Sequence, residues 1–235
     1  MADGRRKKLV LIIADSMAMP RTGVPYGQTW PYRLRTSKPQ LDFIDKTRRA
    51  STALRLNTEG GGDSPDSPAG ADLLEHYRPD IIILQVGITD CAPRYFDKNS
   101  LSWKVFSNLV PASARRWYIR HLKRHGSRSP SRADVKPQQF VDALEKFFGR
   151  AQAADTRVLV IPIAPVTGEF VRKSPLINSC IDKYNAIYAE LAEQFENVQV
   201  LDPFRGSDVE DMAVDEFHVN WKGHALVAQE LERHL

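Results

Sequence analysis

The sequence predicts an α/β protein in which helices wind over both faces of a five-stranded parallel sheet. Five apolar, β-rich runs recur along the 235 residues. Stretches of helical periodicity lie between them. Continuous apolar runs of this length suit strands covered on both sides, and alternation of strand with helix gives a doubly wound sandwich. The chain is also long enough to bury one sizeable core, so a single domain over 1–235 is expected.

The first run, residues 9–13, ends where Asp15 interrupts it. A basic start (Met1 to Lys8) ahead of this run imitates a secretory signal. The run is too short for a membrane span and no small-residue cleavage site follows, so it reads as a buried strand. Helical periodicity follows at 30–34, and a short second strand at 41–44. Residues 58–71 hold Gly60, Gly61 and Gly62 among serine, proline and aspartate, and read as a loop. They lack the lysine of a phosphate-binding loop and argue little for a nucleotide. A helix is expected at 69–77. The clearest strand is 81–86, preceded by Arg78-Pro79-Asp80. Helices at 137–153, 178–194 and 222–235 and strands at 158–163 and 198–201 complete the pattern. In such a sheet ligands gather at the carboxyl ends of the strands, where Ser16, Thr89 and the residues after Ile163 fall.

Cys91 and Cys180 are too few for a disulfide framework and have no metal-like spacing, so a reduced, cytoplasmic protein is expected. The net charge of +4 is unevenly spread. Between Arg94 and Arg132 lie Arg115, Arg116, Arg120, Lys123, Arg124 and Arg128, with almost no acidic residues. Such asymmetry points to an anionic partner for this segment.

Two stretches carry chemistry. Ala14-Asp15-Ser16 places a serine where the first strand breaks into a loop. Asp215-Glu216-Phe217-His218 places a carboxylate three residues before an imidazole, just ahead of the last helix. A serine hydroxyl becomes a useful nucleophile when a base takes its proton and a carboxylate fixes the tautomer of that base. Taken alone, a serine after a strand is usually a turn or cap residue, and Asp-x-x-His suits any helix start. Their joint order and strand-end context argue for a catalytic triad.

In this order the chain resembles the SGNH (GDSL-type) hydrolases. That resemblance implies their flavodoxin-like three-layer fold, with Ser16 as nucleophile, His218 as base and Asp215 as its orienting acid. The family's Gly-Asp-Ser reads Ala14-Asp15-Ser16 here, and its Gly-x-Asn-Asp reads Gly87-Ile88-Thr89-Asp90. Thr89 thus stands where an asparagine usually donates to the oxyanion. Ala50 falls at the glycine whose N–H is another donor, with Gly60 to Gly62 as competing candidates. The resemblance also covers Trp30-Pro31-Tyr32-Arg33-Leu34 and the Asn220, Gly223 and His224 pattern; His224 reads as a helix-face residue. It implies no metal and no organic cofactor.

A basic and aromatic helical insertion at about 95–136 lies outside the resemblance. It suits a lid over an anionic substrate, with Arg115 and Arg116 as substrate-binding candidates, or an interfacial pair on an anionic membrane. A solvated helical pair with packed aromatics is the plain alternative. Nucleic acid is the least favoured partner, since no reading module is visible. The expected activity is an esterase acting on an O-acylated carbohydrate or glycoconjugate. Acyl transfer by the same triad, or carbohydrate binding on a degenerate fold, are the alternatives.

Overall fold

A computed structural model describes residues 6–57, 74–96, 100–125 and 128–235. Five strands form one parallel sheet: β1 (Leu9–Ala14), β2 (Asp42–Asp45), β3 (Ile81–Gln85), β4 (Arg157–Val160) and β5 (Val198–Val200). Their spatial order is β2-β1-β3-β4-β5. The order reverses between β1 and β3, and a doubly wound sheet opens its binding crevice at such a point. Both of these strands are buried almost throughout, as their unbroken apolar composition requires. Register there runs from Val10 opposite Ile81 to Ala14 opposite Gln85. β2 is a short edge strand flanked by Asp42 and Asp45, charges that discourage further strands from adding.

Nine helices are described: α1 (Trp30–Ser37), α2 (Ile88–Cys91), α3 (Leu101–Leu109), α4 (Ala112–His125), α5 (Pro137–Ala153), α6 (Gly168–Lys173), α7 (Ile177–Gln194), α8 (Val209–Met212) and α9 (Trp221–His234). α1 packs with α9, and α5 with α7. The sheet is thereby covered on both sides, as expected.

The fourth strand stops at Val160 instead of Ile163. Pro162 has no N–H for a ladder, and Asn185 of α7 takes over pairing there, accepting from Ile163 N–H at 2.9 Å and donating to its carbonyl at 3.1 Å. Of the helix expected at 69–77, only 74–77 are described. Arg78 N–H donates to Leu74 O at 2.8 Å and Arg78 takes a φ of 46°, a left-handed close. Gly60, Gly61 and Gly62 lie outside the described residues.

His224 lies on the face of α9 that turns inward. The side chain is wholly buried, and Nδ1 accepts from Trp30 N–H at 3.3 Å. Burial, with the charges of Arg21 and Arg33, pushes its pKa down to about 4, so it packs as a neutral ring. Trp30 itself donates from Nε1 to the buried Gln85 amide at 2.9 Å, tying α1 to the end of β3. The neighbouring residues have equally local reasons. Asn220 caps α9 by accepting from Lys222 N–H at 2.8 Å and Gly223 N–H at 3.3 Å. A Cβ at Gly223 would lie 2.5 Å from Val219 Cβ, so only glycine fits. His224 lies just inside this capped turn.

Candidate active site

The serine loop is built by β1. Asp15 N–H donates to Gln85 O at 2.9 Å, and its Oδ1 accepts from Met17 N–H at 2.8 Å. That side-chain bond caps a single 3₁₀ turn, Ser16–Ala18, and holds Ser16 at its first position. Asp15 is buried, and burial raises its pKa to about 7 against the opposing pull of Met17 N–H and Arg21.

The histidine arrives from the opposite end of the chain. Val214 N–H donates to His218 O at 2.9 Å, and Ala213 and Val219 form an antiparallel bridge, so the turn between them is closed. Within it Asp215 Oδ1 accepts from the backbone N–H groups of Phe217 at 3.1 Å and His218 at 2.9 Å. The three-residue spacing read from the sequence thus serves two purposes. It makes an Asx-type turn and brings the carboxylate to the imidazole, with Nδ1 lying 2.8 Å from Oδ2 and 3.0 Å from Oδ1.

Nε2 of the same ring lies 3.0 Å from Ser16 Oγ. Serine, imidazole and carboxylate stand in hydrogen-bonded series across more than 200 residues of chain. Burial pushes the His218 pKa down, as does the charge of Arg21, while Asp215 pulls it up; the net direction is down. For Asp215 burial pushes up, but the N–H groups of His218 and Phe217 and the imidazole outweigh it and hold the carboxyl below its usual range. At neutral pH the pair is a neutral base beside a carboxylate, the arrangement that can accept a proton from a hydroxyl.

Two further candidate residues, Ala50 and Thr89, line the same cleft as Ser16. Ala50 takes a φ of 56°, the left-handed conformation that glycine adopts more easily. Among the described residues, no acceptor is bonded to the N–H of Ser16 or Ala50. Thr89 stands in the short α2, directly after Gly87, whose φ of 129° turns the chain sharply. A Cβ at Gly87 would lie 2.7 Å from Ile163, which explains the glycine. Asp90, the next acid, is buried and accepts from Ala53 N–H at 2.8 Å, while burial raises its pKa to about 7. It holds the Ala53 segment and does not face the serine cleft.

The cleft measures about 900 Å³ and is lined by Ser16, Ala50, Thr89 and His218, with Phe217 beside them. Three arginines line it that the sequence reading did not single out: Arg21, Arg49 and Arg94. Arg115 and Arg116 do not line it. Arg115 is instead turned onto α3, donating to Ser107 O at 2.6 Å, so the expected substrate contact is replaced by a helix-to-helix one. Arg21 donates to Ser16 O and lies 3.6 Å from Asp215 Oδ2, joining the two halves of the constellation. Arg94 donates to Thr89 O at 3.0 Å and to Asp134 at 2.7 Å. The available signal was position: Arg21 follows Ser16 by five residues and Arg49 adjoins Ala50.

Thr89 offers a direct test of the oxyanion role. Thr89→Val should lower kcat toward a short aryl ester about tenfold, and Thr89→Asn should raise it by a similar factor. Both are part of the roughly hundred- to thousandfold that one full oxyanion donor is worth. Indifference to both changes would reduce Thr89 to a structural residue.

Fold and site together are those of the serine esterases and acylhydrolases. The chain belongs to the GDSL-like lipase/acylhydrolase family, whose sequence model matches residues 15–226. No curated protein sequence matches it significantly. Among solved structures it is similar to a lipase/acylhydrolase from Enterococcus faecalis (12% identity, TM-score 0.62, covering 97% of this chain and 94% of that one). It is also similar to the psychrotrophic esterase EstA of Pseudoalteromonas (13% identity, TM-score 0.56, 96% and 95% covered). A third likeness is to Axe2, an acetylxylan esterase from Geobacillus stearothermophilus (14% identity, TM-score 0.58, 96% and 93% covered). At these identities the likeness is one of fold.

Proposed function

We propose that the chain hydrolyses a carboxylic ester of a hydroxylated, negatively charged acceptor, an O-acylated acidic carbohydrate being the best fit. Ser16 Oγ attacks the acyl carbonyl while His218 Nε2 takes its proton. Asp215 holds Nδ1–H and stabilises the imidazolium that forms. The N–H groups of Ser16 and Ala50 and the Thr89 hydroxyl face the developing oxyanion. His218 returns the proton to the leaving sugar oxygen, giving an acyl-Ser16 ester. Water, deprotonated by His218, then releases the acid. The observation that carries this reading is the unbroken Ser16–His218–Asp215 series.

The acceptor's charge is supported by the lining. Among the described residues that line the cleft, Arg21, Arg49 and Arg94 share it with one carboxylate, Asp134, which Arg94 already engages. Arg21 is committed to Ser16 O and Asp215. Among the described residues Arg49 has no ion pair, which leaves its guanidinium for a carboxylate or phosphate on the substrate. The acetylxylan esterase, which acts on an acylated carbohydrate, shares the fold.

A fluorophosphonate probe tests the nucleophile: it should label wild type and leave a Ser16→Ala variant unmarked. For the acceptor, Arg49→Gln should raise KM for an acetylated uronic acid about tenfold, the size of one charge-assisted hydrogen bond at a half-open site. The KM for a neutral aryl acetate should not move. Equal KM values for the anionic substrate in both proteins would remove charge from the acceptor.

A further inference from the structure

We infer that the α3–α4 pair is a docking surface for an anionic phospholipid bilayer. The argument begins with α3, which is apolar on two opposite sides. On one side Trp103 stacks on Phe96 at 3.9 Å between ring centres, and Phe106 lies 5.4 Å from Trp103 and 5.0 Å from Tyr118 of α4. That aromatic cluster is the packing face of the pair. On the other side stand Leu101, Val105 and Leu109, four residues apart and therefore aligned along one stripe. Their exposures are 77%, 48% and 77%. A helix on the surface of a water-soluble domain normally turns polar residues outward once its packing face is satisfied. Here the outward stripe is aliphatic.

α4 adds the complementary half. Trp117 is 65% exposed, and Arg116 and Arg120 are exposed beside it. Residues 101–125 contain Lys104, Arg115, Arg116, Arg120, Lys123 and Arg124 and no aspartate or glutamate. Outward aliphatics, a tryptophan and a one-signed set of cations together match a helix pair lying in the headgroup layer of an anionic bilayer. The same charge argues against a second copy of this chain, because like patches would repel. A nucleic acid or soluble polyanion would answer the arginines but has no use for Leu101, Val105 and Leu109.

The pair is placed beside the cleft. It leaves the cleft rim at Arg94 and returns at Ser129, and these two residues form an antiparallel bridge. Arg94 and Asp134, which line the cleft, bind each other at its base. Among the described residues no helix is long and apolar enough to cross a membrane, so attachment would be peripheral. Docking would hold the ester-binding cleft near the surface of the bilayer, yet it does not depend on the proposed chemistry.

The test uses the full chain and sedimentation with phosphatidylcholine vesicles, with and without phosphatidylglycerol. Wild type should bind only the anionic vesicles, with a blue shift in tryptophan emission that Trp117→Phe abolishes. The double change Leu101→Ser with Leu109→Ser, and separately Arg116→Gln with Arg120→Gln, should each weaken binding about tenfold or more. Both should leave circular dichroism and turnover of a soluble aryl ester unaltered. The inference falls if wild type ignores anionic vesicles. It also falls if the serine variant binds as wild type does while heparin competes fully, since the patch would then be a polyanion site. The arginine variant provides an independent readout should the serine variant fold poorly.

Discussion

Ser16→Ala should lower kcat toward a short aryl ester by about 10⁶-fold and leave the melting temperature nearly unchanged. Loss of a catalytic serine elsewhere has cost about this much, the residual rate coming from binding and the oxyanion donors. The side chain contributes little to folding. Its Oγ bonds to His218, while the loop is held by Asp15, Met17 N–H and the carbonyl contact from Arg21. None of those anchors involves the hydroxyl, so the defect should be chemical. Pre-steady-state hydrolysis with substrate in excess would show whether the acyl-enzyme burst disappears. A variant that retained more than a small fraction of activity, or that still reacted with a fluorophosphonate, would mean that another group is the nucleophile.

Asp215→Asn should reduce kcat about 10⁴-fold, because an amide no longer fixes the tautomer that leaves Nε2 free to accept. The substitution is well chosen for this site. An asparagine Oδ1 can still accept from Phe217 N–H and His218 N–H, so the turn that carries His218 should survive. The pH profile provides a second readout. Only the neutral imidazole can take the serine proton, so kcat/KM should rise with pH through the His218 pKa and then level off. Burial and Arg21 place that midpoint below the ordinary 6.5, so wild type should already be near its plateau at neutral pH. Asp215 favours the charged ring. Removing its charge should move the midpoint further down while the plateau collapses. A variant with nearly normal kcat and an unmoved midpoint would show that Asp215 only organises its turn.

Much of the fold was legible because its signals are local. The apolar runs at β1 and β3 must be covered on both faces, and strands alternating with helices leave few arrangements open. Asp215 and His218 were legible for the same reason, since one short turn contains both. Ser16 and Thr89 could be placed at strand ends by counting from the runs before them. Asn220 and Gly223 belonged to the recognised pattern, although the reasons for them, a cap and a close approach to Val219, emerged only in three dimensions.

The sequence by itself determined the sheet and the Asp215–His218 turn, because each depends on neighbours within a few positions. Tertiary structure alone decided which charges meet. Charge carries no periodicity, so the density of arginines between 94 and 132 drew attention to Arg115 and Arg116, while the cleft is lined by Arg21, Arg49 and Arg94. Arg21 reaches Asp215 across 194 positions only because β1 and the turn before α9 converge at the reversal point of the sheet. His224 was read as a helix-face residue, and only the packing of α9 against α1 decided that the face is a buried one. Contacts of this kind depend on how finished elements dock, and a linear pattern of residue types does not encode that docking.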